Sequence, residues 1–88
     1  MAIEQKRHDA WNAIGEIRDE LSAADGDWHD TIIYLTLARE RLRSGDSAGA
    51  PARRRLAMLL LMDALSEVDG RSATLWNRIA NVAADLTV

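Results

Sequence analysis

Six of the ten arginines of this chain fall between positions 39 and 55: Arg39, Arg41, Arg43, Arg53, Arg54 and Arg55. Only Glu40 and Asp46 oppose them there, so the segment carries +6 − 2 = +4 in a chain of net charge −3. Guanidinium groups bind phosphates and carboxylates through paired N–H donors, so the chemistry on offer is recognition of an anion or an acidic surface. Nucleic acid is one such target, because each phosphate contact releases counterions. Against it, the chain as a whole is acidic, and no aromatic residue interleaves the arginines to stack bases.

A second constellation is acidic: Asp25-Gly26-Asp27-Trp28-His29-Asp30. Read as a calcium loop starting at Asp25, it puts Asp30 where glycine is required and Thr36 where the bidentate glutamate belongs, so that reading fails. A capped, acidic helix start explains the same residues, and no metal site is expected. His8 and Asp9 are adjacent, and neighbours in a helix do not converge. There is no cysteine, no glycine-rich phosphate loop and no paired histidines. Neither catalysis nor a cofactor is expected.

Four helices must carry these groups. Ile3, Arg7, Ala10, Ile14, Ile17, Leu21 and Ala24 recur alternately at four and three, which predicts an amphipathic helix over about 3–24. Asp25-Gly26-Asp27 breaks it, with Asp27 placed to cap a second helix over 28–44. Residues 45–50 read as a loop by composition, and Pro51 suits the first turn of a third helix ending at Gly70. Ser72 is placed to cap a fourth, 73–86, with Leu75, Ile79, Val82 and Leu86 on one face. Short breaks favour antiparallel neighbours, so the expected fold is one all-α domain over 1–88, a compact antiparallel bundle of about four helices.

In that bundle one end collects Asp25, Asp27, Asp30 and Trp28, and the other collects the arginines. Arg39 and Arg43 suit the C-terminus of the second helix. Arg53, Arg54 and Arg55 oppose the dipole of the third, which makes them the arginines to examine for partner binding. Trp28 beside carboxylates suits an interface hot spot at the acidic end, and core packing at the bundle end with its indole N–H bonded locally explains it more simply.

The apolar residues exceed what four helices hide. Helix two has a second apolar patch, Ile33 and Leu37, nearly opposite its main stripe. Helix three is apolar over roughly 200° of its wheel, Met58 and Met62 included, with Leu59 and Leu56 beyond that arc. Ile33, Leu37, Met58, Leu59 and Met62 are the candidate interface residues. Excess apolar surface marks an interface, so a homodimer or a protein partner is expected. The most apolar run, Leu56 to Met62, is far short of the ~20 residues that span a bilayer. The polar start, Met1 to Ala10, lacks the apolar stretch of a secretory signal, so a cytoplasmic protein is expected.

The reading is a small, non-catalytic protein–protein interaction module of the adaptor, regulator or inhibitor type, of the kind bacteria and phages encode, working as a homodimer. The alternative is a nucleic-acid-binding regulator. It would use the basic end, or a helix-turn-helix of the last two helices presenting Thr74, Asn77, Arg78 and Asn81 to base edges. Asp69 and Arg71 count against that motif, since they fall where it tucks apolar residues.

Overall fold

A computed structural model describes residues 2–43 and 51–87, with side chains from residue 5 onward. The expected loop over 45–50, and the side chain of Ile3, lie outside the described residues. The fold is an all-α, four-helix bundle: α1 Ala2–Ala23, α2 His29–Arg41, α3 Pro51–Val68 and α4 Ala73–Asp85. Each helix packs on the next, and α4 closes the square against α1. Arg7 of α1 reaches Leu42 just past α2, Arg53 of α3 reaches Glu40 and Arg41 of α2, and Arg78 of α4 reaches Glu20 of α1. Start meets end at the α1–α2 and α2–α3 seams, α4 runs back along α3 after the short turn at Gly70, and the topology is up-down-up-down.

The ends of the elements follow from local chemistry. Gly26 and Gly70 hold φ of 105° and 79°, the left-handed region that glycine enters without steric cost. Ser72 caps α4 as expected, its hydroxyl accepting from the Leu75 N–H at 3.2 Å. The start of α2 differs from expectation. Trp28 is the capping residue and makes no side-chain bond to the helix, while Asp27 accepts from the His29 N–H one position earlier than a true cap would. The α2 helix also stops at Arg41, and Leu42 turns back with its N–H on Arg39.

The core is a column of small and branched residues. Ala10, Ile14, Ile17 and Leu21 come from α1, Leu35, Ala38 and Leu42 from α2, Ala57, Leu61, Ala64 and Val68 from α3, and Leu75, Ile79 and Val82 from α4. Arg7 continues the α1 stripe and is 5% exposed, an arginine at a core position. Its guanidinium donates to the Leu42 carbonyl, so the buried charge has an acceptor.

Thr31 is the other buried polar side chain, 1% exposed, and its hydroxyl oxygen has no hydrogen-bond partner among the described residues. A buried hydroxyl without a partner carries its desolvation cost uncompensated. Thr31→Val keeps the shape and removes that cost. It should raise stability by about 1 kcal/mol, read as a higher midpoint in urea unfolding.

Among the described residues, no helix is long and apolar enough to cross a membrane.

Candidate protein interface

Large apolar side chains remain exposed on α2 and α3: Ile33 at 41%, Leu37 at 43%, Leu56 at 46% and Leu59 at 49%. Helix geometry decides which of them share a face. At about 100° per residue, Ile33 and Leu37 lie roughly 170° and 130° from the centre of the buried α2 stripe, Thr31, Leu35, Ala38 and Leu42. Leu37 is turned toward α3, because Arg39, on the opposite flank, reaches α1. On α3, Leu56 lies roughly 110° from the stripe of Ala57, Leu61, Ala64 and Val68, on the flank where Arg53 touches α2. Leu59 points outward.

Ile33, Leu37, Leu56 and Leu59 thus belong to one outer surface spanning two adjacent helices, with Tyr34 and Leu60 half-buried between them. Met58 and Met62 belong elsewhere on α3. Met62 is 53% exposed and turned toward α4, and Met58 lines a recess with Leu86, Arg54 and Arg55. The sequence names both methionines with Leu59 as candidate interface residues and leaves Leu56 out of that set, although it puts Leu56 and Leu59 on the same side of the helix wheel. Rotating each residue from the helix's own buried stripe separates the methionines from the two leucines, but only once that stripe is known.

Part of the basic end is engaged in holding the fold. Arg53 donates from Nε to the Arg41 carbonyl at 3.0 Å and from its terminal nitrogen to the Glu40 carbonyl at 3.1 Å. These are carbonyls of the last turn of α2, where positive charge is favourable; that of Glu40 also accepts from the Arg43 N–H at 3.3 Å. The dipole of its own helix disfavours Arg53, but a second helix end lies beside it. The α3 start abuts the α2 end, and Arg53 serves the neighbour's terminus. Arg54 is half-buried and Arg55 is exposed. Arg43 pairs with Glu40 at 3.0 Å, both side chains well exposed, a contact worth little on its own.

Arg39 does more than favour the end of its helix. Its guanidinium lies over the Trp11 ring, 3.6 Å from the centroid, and its Nε donates to the Trp11 carbonyl at 3.2 Å. Gly15 makes the room: a Cβ there would come 2.8 Å from Arg39 Nε. His8 stacks loosely on the same indole, with centroids 6.4 Å apart. The whole assembly fastens α2 across α1.

At the acidic end, Trp28 is a structural joint. Its indole N–H donates to the Asp25 carbonyl at 3.3 Å, and Arg71, from the α3–α4 turn, covers its ring at 3.7 Å. Two loops distant in sequence are thereby clasped together. Asp25, Asp27 and Asp30 stay exposed around it, and no cluster of three potential metal ligands exists among the described residues. Trp76 is 39% exposed beside the same turn, outside the core.

Thr74, Asn77, Arg78 and Asn81 are all exposed on α4. Arg78 pairs across to Glu20 at 2.5 Å, and Thr74 lines the same α1–α4 groove, so this side of α4 is turned toward α1. Comparison with protein-family models, with curated proteins and with solved structures gives no match.

Proposed function

We propose that this chain is a non-catalytic protein–protein interaction module that works through the outer face of α2 and α3 and pairs there as a homodimer. The observation that carries the reading is the exposure, between 41% and 49%, of Ile33, Leu37, Leu56 and Leu59 on that one face. A contiguous apolar patch across two helices costs solubility unless a partner covers it. Its biological use is of the adaptor, regulator or inhibitor type: occlusion or bridging of a protein by a compact helical body. The nucleic-acid alternative has less to draw on, since Arg7, Arg39 and Arg53 bond backbone carbonyls of this chain and Arg43 pairs with Glu40.

Light scattering on the purified protein tests the reading. A dimer mass is expected at high micromolar concentration. Leu37→Asp should yield a monomer with the same helical circular dichroism, because residue 37 lies outside the core. A wild-type chain that stays monomeric across that range would sink the homodimer.

A further inference from the structure

We infer that the second copy docks on the α2/α3 face in antiparallel register, the basic end of each chain against the acidic end of the other. The inference rests on the homodimer reading and adds its geometry. The bonds from Arg53 to the carbonyls of Glu40 and Arg41 set the levels of α2 and α3. Counting about 1.5 Å per residue from that anchor, Leu56 comes level with Leu37, Leu59 lies beside Leu35, and Asp63 is beside Asp30. The apolar patch is then centred near the level of Leu35.

On α2 this centre is nearly midway between two opposite charges. Arg41 lies about 9 Å toward one end and Asp30 about 8 Å toward the other, six and five residues away at the helical rise. Both point to the α3 side of α2, the same outer side as Leu37, and Asp63 joins Asp30 at the acidic edge. None of Arg41, Asp30 and Asp63 forms an ion pair within its own chain among the described residues.

A face that is apolar in the middle and oppositely charged at its two edges is complementary to itself under only one kind of two-fold. The axis must lie in the interface, perpendicular to the helices. It sets α2 over α2 of the second copy with directions reversed, and brings each Arg41 to Asp30 of the partner subunit. An axis parallel to the helices would instead lay α2 over α3 of the second copy with like charges at one level, Asp30 opposite the partner's Asp63 and basic edge beside basic edge, which opposes association. The antiparallel arrangement also sets the α2 macrodipoles in opposition, the favourable sense.

Two measurements test the register. In sedimentation velocity, Arg41→Asp and Asp30→Arg should each weaken the dimer at least about tenfold, since every substitution alters two symmetric pairs. The doubly reversed chain should regain dimerisation, although both substitutions work against the dipole of α2, so a purely structural effect would make it worse. Helical circular dichroism checks that each variant folds.

Independently of those variants, the chain has no native cysteine. An oxidised mixture of Arg41→Cys and Asp30→Cys chains should give disulfide-linked pairs of unlike variants, and neither variant alone should link to itself. A dimer in which Arg41→Cys links to itself, or in which charge reversal changes nothing, overturns the register and leaves the homodimer standing. A monomeric wild-type chain overturns both, and leaves the face to a partner of different sequence.

Discussion

Leu61→Ala should lower the stability of the bundle by about 2–5 kcal/mol, a large share of the roughly 5–15 kcal/mol that holds small domains folded. Leu61 is fully buried, and it sits on α3 between Ala57 and Ala64, also fully buried. Two alanines beside it let the neighbouring helices come close, so Leu61 supplies most of the apolar volume at that level of α3. Its removal leaves a void that alanine neighbours cannot fill by changing rotamer. Adding the lost transfer energy to the cavity term gives the upper part of the range. At a urea dependence of about 1 kcal/mol per molar, the unfolding midpoint should fall by roughly 2 M or more. Met62→Ala, one residue on but 53% exposed, is the control and should change stability by less than about 1 kcal/mol. Equal losses for the two would mean that α3 does not present the buried face described here.

That contrast marks how far the sequence could be read. The helix count, the turns at Gly26 and Gly70, the cap at Ser72 and the column of buried residues on α1 and α4 follow from local rules of spacing and backbone preference. They were legible because each depends on residues within a turn or two of one another. Arg53 was not, because its partners are carbonyls 12 and 13 positions away on another helix. The macrodipole of α3 disfavours Arg53, and the carbonyls at the end of α2 outweigh it. Arg7 did leave a signal. A charged residue in an otherwise apolar four-three repeat must find a buried acceptor, and the end of a neighbouring helix is the usual supply. The separation of Met58 and Met62 from Leu56 and Leu59 was not legible for a different reason. On a helix apolar over more than half its circumference, periodicity alone does not identify which arc is buried.

Gly15 shows the same dependence on a distant residue and yields the sharpest test of the α1–α2 junction. A glycine inside a helix costs about 1 kcal/mol against alanine, so its presence in the middle of α1 needs a reason. The reason is steric: the Arg39 guanidinium occupies the space where a Cβ would stand, with Nε, Cζ and a terminal nitrogen all 2.8–3.0 Å from it. Arg39→Ala should therefore cost about 2 kcal/mol, from the contact over Trp11, typically 0.5–2 kcal/mol, together with a charge-assisted bond to a carbonyl. Gly15→Ala alone sets a gain in helix propensity against displacement of that guanidinium, and the two nearly cancel. In the Arg39→Ala background the obstruction is gone. The same Gly15→Ala change should then stabilise by about 1 kcal/mol, the full propensity difference. The double-mutant cycle thus has a coupling energy of about 1 kcal/mol, measurable by urea unfolding of four proteins. Additive effects would show that Arg39 is not seated on Gly15, and that α2 is held to α1 by its apolar stripe alone.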